Sequence, residues 1–361
     1  MKAVVLSKNT VMENPDSLFR YFGWPSVTRL PGGALAAVAS GYRMRHVCPF
    51  GKAVISYSFN EGESWTRPAP VIDTYLDDRD AGIVPFGNNR VILTSFNNTV
   101  SIQRKWAESY EGAEKQMRLH YLDRVSEMED PEKYLGSTYV ISEDGGFTFG
   151  RVKNSPVTSP HGPAATKDGG LLWVGRRFSK DDSADGSSEP YLKCCRLNEK
   201  DEFEVIGEIE NIPSPDGYYL SCEPHAVILE DGTILVHIRV QGGGLFTTYR
   251  SVSRDGGRTF TKPVKLLTDK GGAPAHLTLL PDGKILSVYG YREQPYGIRY
   301  MVSEDGGETW TADLVLYDGG ETADLGYPCS VLLEDGVILT VFYEKRGAEA
   351  IISGIKWKLE N

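Results

Sequence analysis

Ser303-Glu304-Asp305-Gly306-Gly307-Glu308-Thr309-Trp310 is the stretch on which the reading of the whole chain turns. A serine, an aspartate two residues on, a pair of glycines, a threonine and a closing aromatic describe a tight turn. The aspartate side chain caps backbone donors, and glycine takes up positive φ without steric cost. The same pattern recurs at Ser58–Trp65, Ser142–Phe149 and Ser253–Phe260, with Asn60 standing in for the aspartate in the first. Calcium binding and catalysis are the other uses for such aspartates. The structural use takes precedence, because every copy supplies the same hairpin whereas one active site is enough.

Between these boxes run β-rich segments, and a second set of turns divides them: Leu30–Gly33, Gly87–Asn89, Lys167–Gly170, Glu230–Gly232, Pro281–Gly283 and Glu334–Gly336. Flanking segments such as Ala226–Leu229 and Thr233–Ile238 carry the hairpin signature. Successive turns in the second half lie roughly 50–60 residues apart, the period of a propeller blade of four short strands. Six turns predict an all-β fold, a six-bladed β-propeller occupying 1–361 as one domain. One segment breaks the period. Residues 101–134 are charged and carry Trp106, Met117, Leu119, Leu122 and Val125 at helical spacing, which predicts a helical insertion. A solvated surface helix is the first reading of it; a lid over a pocket or a contact in a homo-oligomer are the alternatives. Ser179–Glu189 reads as a polar loop and Gln241–Gly244 as a flexible connection.

Composition narrows the class of function. The 361 residues include 39 basic and 49 acidic side chains, for a net charge of −10, which argues against nucleic acid as a partner. No run of about 18 apolar residues is present, so no membrane-spanning helix is expected. The first residues lack the pattern of a secretory signal, and five cysteines without a CxxC pair read as reduced thiols, so a cytoplasmic location is the expectation. No glycine-rich phosphate loop opens a helix, and His225, His237 and His276 show no metal-binding spacing, so neither cofactor nor metal is expected.

A propeller gathers the starts of its innermost strands around one end of a central channel. The six starts read Gly23-Trp24-Pro25, Asp77-Asp78-Arg79-Asp80, Ser159-Pro160-His161, Cys222-Glu223-Pro224-His225, Ala273-Pro274-Ala275-His276 and Gly326-Tyr327-Pro328-Cys329. Partner strands end on Arg43, Arg45 and His46, on Arg176 and Arg177, on Arg239, on Arg292, and on Tyr343 with Glu344. Arginines gathered in an acidic protein point to an anionic small molecule or oligosaccharide gripped by guanidinium forks. Mutual pairing of these charges is the alternative.

With its Asp boxes and these strand starts, the chain resembles the sialidase superfamily of six-bladed propellers. The run Glu223, Asp231-Gly232, Arg239 is similar to the family's Glu…Asp-Gly…Arg pattern, and Gly326-Tyr327-Pro328, Asp335-Gly336, Tyr343-Glu344 to the segment holding its tyrosine nucleophile. The resemblance implies that Tyr327 is the nucleophile and Glu223 its proton acceptor. It further implies that Arg239 and Arg292 (with Arg299 as competitor) hold a substrate carboxylate, and that Glu344 orients an arginine. A phenol suits an anomeric carbon that bears a carboxylate, since it avoids the repulsion a carboxylate nucleophile would meet. The sequence departs from the family in two places. Trp24 stands where the first arginine belongs, leaving Arg43 or Arg45 to reach in, and Trp24 itself to stack on a sugar. The Tyr42–Lys52 loop holds no aspartate to protonate the leaving group, so His46, Asp78 and Asp80 are the candidates, with Arg79 beside them. The expectation is an exo-glycosidase releasing a sialic acid or related 2-ulosonic acid. The alternatives are a glycosidase or lyase on another sugar, using Asp80, Glu223 and His225 or His276, and a glycan-binding propeller without catalysis.

Overall fold

In a computed structural model, which describes residues 1–178, 188–311 and 313–360, the chain is built from antiparallel sheets. Four sheets have the size of a blade. They begin at Arg79–Phe86, at Val157–Thr158, at Leu220–Ile228 and at Ala275–Leu279, and each runs outward through successive hairpins. A fifth sheet has eight strands: Tyr21–Arg29, Leu35–Arg43, Lys52–Ser58 and Ala69–Ile72, continued by Gly326–Leu332, Ile338–Arg346, Glu349–Glu360 and Lys2–Met12. The sequence predicts six separate blades; the structure has four. The strands of the other two run into one sheet because Tyr21 and Ala350 form a single parallel bridge between the halves. The N-terminal strand pairs with the C-terminal one from Lys2–Glu360 to Met12–Ile352, so the two ends of the chain close one sheet.

The first strands pack side by side in a ring. Tyr21–Arg29 touches Arg79–Phe86 and Gly326–Leu332, and the latter touches Ala275–Leu279, which touches Leu220–Ile228 and so on around the channel. Apolar side chains fill the spaces between neighbouring sheets. Ala36, Val38 and Ile55 of one sheet pack with Ile83, Val91, Leu93 and Val140 of the next, each Val, Leu or Ile contributing roughly 1.5–3 kcal/mol by leaving water.

The boxes behave as local turns. In all four, the serine hydroxyl accepts from the glycine amide four residues on, at 2.8–2.9 Å. Asp305 accepts from the Thr309 amide at 2.8 Å and from its hydroxyl at 2.5 Å, and these bonds hold its carboxyl down at about 2.

The insertion forms α1, Val100–Glu108, capped by the Thr99 side chain, and α2, Gly112–Ser126, with no helix beyond it up to 134. Its outer face is solvated, as expected of a surface helix, while its inner face packs on the ring. Arg118 of α2 is fully buried and donates to the Val47 carbonyl at 2.7 Å, Tyr121 packs on Phe50 with ring centres 4.8 Å apart, and Gln103 of α1 donates to Asp77 at 3.3 Å. The helices thus clamp the loop that carries His46. Gln241 and Gly242 end the strand Ile234–Gly242, and Gly243-Gly244 is a two-residue hairpin turn into Leu245–Ser253, in place of the flexible connection expected. Most of the Ser179–Glu189 loop, up to 187, falls outside the described residues.

Candidate functional site

Four inner strands share one irregularity at their starts. Gly23–Ser26 spans three steps while its partner strand spans two, from Ser40 to Val38; Arg79–Gly82, Cys222–His225 and Gly326–Cys329 do the same. Each is a β-bulge with one extra residue, and in each the residue in the left-handed region is not glycine: Trp24 (φ 55°), Asp80 (φ 48°), Glu223 (φ 47°) and Tyr327 (φ 51°). Such a conformation costs roughly 1–3 kcal/mol and persists only where the surroundings impose it. A bulge breaks the in–out alternation and re-aims the side chain.

Three of those four side chains, Asp80, Glu223 and Tyr327, line one cavity of about 620 Å³ at the mouth of the ring. The Tyr327 hydroxyl donates to Glu223 Oε1 at 2.6 Å. Arg239 Nη1 donates to both, at 2.5 Å to Glu223 Oε2 and 2.9 Å to the Tyr327 oxygen, while Gln241 holds the other side of the guanidinium. Burial raises the Tyr327 phenol well above its ordinary value and the Glu223 carboxylate adds to this, against the pull of Arg239 and Arg292. The resting phenol therefore keeps its proton, with a carboxylate placed to take it. Arg292 lies over Phe246 and the Tyr327 ring, at 5.0 and 5.9 Å from their centres, and donates Nε to the Leu325 carbonyl. Its competitor Arg299 is buried and turned to the Tyr317 and Pro295 carbonyls.

The charge of the cavity is opposite to that of the whole chain. Arg79, Lys105, Arg176, Arg177, Arg239 and Arg292 line it, against Asp80 and Glu223. α1 contributes Ile102, Lys105 and Trp106 to the wall, and Tyr110 follows from the turn after it, which gives the insertion a place in the site that its helical spacing alone did not reveal.

Several expected residues sit elsewhere. Trp24 is buried under Arg79 and Arg43, 4.3 and 4.8 Å from its ring, and lies off the cavity wall; it is a platform for guanidinium groups and not for a sugar. Arg43 is fully buried in a two-pronged pair with Asp77, with further bonds to Ser40 and the His46 carbonyl, so no group of it reaches a ligand. Arg45 points outward to Glu114 of α2 at 3.3 Å. Asp78 accepts from the Thr74 amide, the Thr74 hydroxyl and Asn97 behind the wall, and burial raises its carboxyl to about 7. Glu344 orients no cavity arginine; Lys8, Tyr317, Ser353 and Arg346 enclose it. His225 and His276 stack at 4.2 Å off the cavity wall with His161 beside them, and burial lowers the pKa of all three. Among the described residues no three His, Cys, Asp or Glu side chains are grouped to hold a metal. His237 bonds Ser287 at 3.0 Å and packs on Trp310 of the next blade.

Two participants escaped the sequence reading. Gln241 braces Arg239, and Asp324 accepts from Tyr21 and Tyr343, both at 3.0 Å, and contacts His46 Nδ1 at 3.2 Å. The step of two residues from Arg239 to Gln241, on one strand face, was the available signal for the first. Nothing local marks Asp324.

Ring of sheets, bulged inner strands and polar cavity define a β-propeller with a cavity at its mouth. The chain belongs to the BNR repeat-like domain family, whose sequence profile matches residues 52–340. No curated protein matches it in sequence. Among solved structures it is similar to a protein of unknown function from Dyadobacter fermentans, with TM-score 0.76 and 21% identity over 99% of both chains. It is similar also to the NanB sialidase of Streptococcus pneumoniae, with TM-score 0.65 and 13% identity over 97% of this chain and 70% of that one. The third is an α-L-arabinanase of Penicillium chrysogenum, with TM-score 0.64 and 14% identity over 98% of both. These likenesses are of fold.

Proposed function

We propose that the protein is an exo-glycosidase that releases an acidic sugar of the 2-ulosonic class, sialic acid or a relative, through a tyrosine nucleophile. The observation that carries this reading is the Tyr327–Glu223 hydrogen bond of 2.6 Å inside a cavity lined by cations. A phenol activated by a carboxylate is an uncommon nucleophile, and its use fits an anomeric carbon that already bears a negative carboxylate. Glu223 takes the phenol proton as Tyr327 Oη bonds to the anomeric carbon and the bond to the leaving oxygen breaks. Arg239, bonded to both partners, steadies the developing phenolate. Arg292 and Arg79 meet the substrate carboxylate, each such charged bond being worth about 1.5–3 kcal/mol. Asp80 and His46, both on the wall, are the groups in reach of the leaving oxygen. Attack by water on the same face then returns the sugar with retained configuration. In this reading the eight-stranded sheet counts as two blades fused by one bridge, which gives six, and residues 1–361 act as a single domain.

The test is release of the aryl group from an aryl ulosonide, run beside aryl uronides and aryl arabinosides. Tyr327→Phe and Glu223→Gln are each expected to lower turnover by about 10²–10⁴-fold while the circular dichroism spectrum is unchanged. Near-full activity in both variants rejects the mechanism. Release only from the uronide or the arabinoside rejects the substrate class.

A further inference from the structure

His46 is, with Asp80, one of the two candidate proton donors on the cavity wall, and its hydrogen bonds decide what the ring can do. Asp324 Oδ1 lies 3.2 Å and the Tyr21 hydroxyl 3.0 Å from Nδ1. Tyr21 has one proton, and Asp324 takes it, with both carboxylate oxygens 3.0 Å from the hydroxyl. Tyr343 donates to Asp324 as well, at 3.0 Å, and these bonds with that of His46 hold the carboxyl below its ordinary range in spite of burial. Both neighbours of Nδ1 are therefore acceptors. An ionised carboxylate has no proton to give, and the phenol has already given its own, so Nδ1 carries the hydrogen. That leaves Nε2 as the titrating atom of a ring on the cavity wall.

The loop is fixed as a proton-transfer group requires. Arg43 and Arg79 donate to the His46 carbonyl at 2.7 and 3.3 Å, Arg118 of α2 to the Val47 carbonyl at 2.7 Å, and the Cys48 amide to Asp77 at 3.1 Å. Trp24 meets the His46 ring edge-on, with centres 4.9 Å apart. The charged and titratable groups facing the ring are Asp324 and Tyr21 from beside it and Arg79 and Arg43 from beneath.

We propose that His46 Nε2 is the proton donor to the leaving oxygen and then the base for the incoming water, and that Asp324 is a positioning residue that sets its tautomer. The inference rests on the glycosidase reading and deepens it. In the first half, the imidazolium Nε2–H gives its proton to the leaving oxygen as that oxygen parts from the anomeric carbon and Tyr327 Oη bonds to it. In the second, neutral Nε2 takes a proton from water as the water oxygen bonds to the anomeric carbon and the Tyr327 bond breaks; the proton held by Glu223 returns to the phenol. The His46 side chain is 48% exposed; the desolvation that remains and the Arg79 charge lower its pKa despite Asp324, so kcat/KM on a poor leaving group should rise as pH falls.

The experiment compares a nitrophenyl ulosonide, whose leaving group needs no proton, with the same ulosonide carried on a sugar. His46→Gln should lower turnover of the sugar-linked substrate by about 10²–10⁴-fold and of the nitrophenyl substrate by at most about tenfold. Asp324→Asn should lower the sugar-linked rate by a similar order, about 10²–10⁴-fold, with the acid limb of its pH profile displaced. Equal losses on both substrates in His46→Gln overturn the proposal, as does a leaving-group-dependent loss in Asp80→Asn in its place. Nitrogen-15 NMR of the histidines reads the tautomer without substrate: the wild type should show Nδ1–H at His46 and Asp324→Asn should lose it. A wild-type Nε2–H tautomer overturns the inference whatever the enzyme acts on. Absence of turnover by the wild type strikes the glycosidase reading alone.

Discussion

Two arginine–carboxylate pairs, one sealed in the core and one at the cavity, do different work. Arg43 and Asp77 are both fully covered, and Arg43 gives its remaining donors to Ser40 and the His46 carbonyl. Arg239 and Glu223 form an equally close pair, but a phenol bonds to both and the cavity opens beside them. From sequence alone both arginines belong to the same ring of cations. The difference is access, decided by which residues the neighbouring elements lay on top: the Tyr42–Lys52 loop and the helical insertion seal the first pair and leave the second open. A buried charge pair by itself is weak evidence for a site, since sealed pairs also anchor loops.

The comparison can be broken most forcefully at the sealed pair. Asp77→Asn strands the Arg43 charge and should cost about 3–5 kcal/mol of stability, read as a lower urea midpoint. Glu223→Gln leaves Arg239 beside cavity water and should cost less; equal losses would erase the distinction. Next, Arg292→Met should raise KM for an acidic sugar by about 10–100-fold, the loss of one charged hydrogen bond, with kcat changed less; an unchanged KM removes Arg292 from carboxylate binding. Asp78 gives a pH-resolved test. Its folded pKa of about 7 lies above the ordinary carboxylate value, so between about pH 4 and 7 the folded state holds a proton that the unfolded chain has released. Stability then falls as pH rises through that window. Asp78→Asn should flatten the fall, measured by thermal melts at pH 5 and pH 8, and an unaltered profile refutes the assignment. The smallest effect belongs to Asp305→Ala, which removes one turn's cap and should cost about 0.5–2 kcal/mol, like the loss of a helix cap, with turnover unchanged.

How much was legible follows from the range of each interaction. The Asp boxes read correctly because their bonds span four residues. The strand starts were legible in part: four of the six carry the bulge, and three of those bulges turn Asp80, Glu223 and Tyr327 to the cavity wall. Trp24 occupies the same bulged position, yet Arg79 and Arg43 cover it, and no pattern around Gly23-Trp24-Pro25 announces that. Arg45 and Arg43 lie two residues apart; one ends in solvent against Glu114 and the other in the core, because the chain leaves its strand at Arg43 and alternation stops. Asp324 was invisible for a simpler reason: its partners Tyr21 and His46 lie 303 and 278 residues away in sequence.

What the amino-acid sequence determined unaided was the repeating hairpin, the helical insertion and the short list of chemically apt side chains at the strand starts, all set by contacts within a few residues. What only the tertiary structure decided was membership of the cavity, the tautomer-setting partner of His46, and the fusion of the first and last sheets where Tyr21 meets Ala350. Those depend on distant segments meeting in space, and exclusion of water from one arginine and its admission to another is a property of the assembled walls that no local run of residues carries.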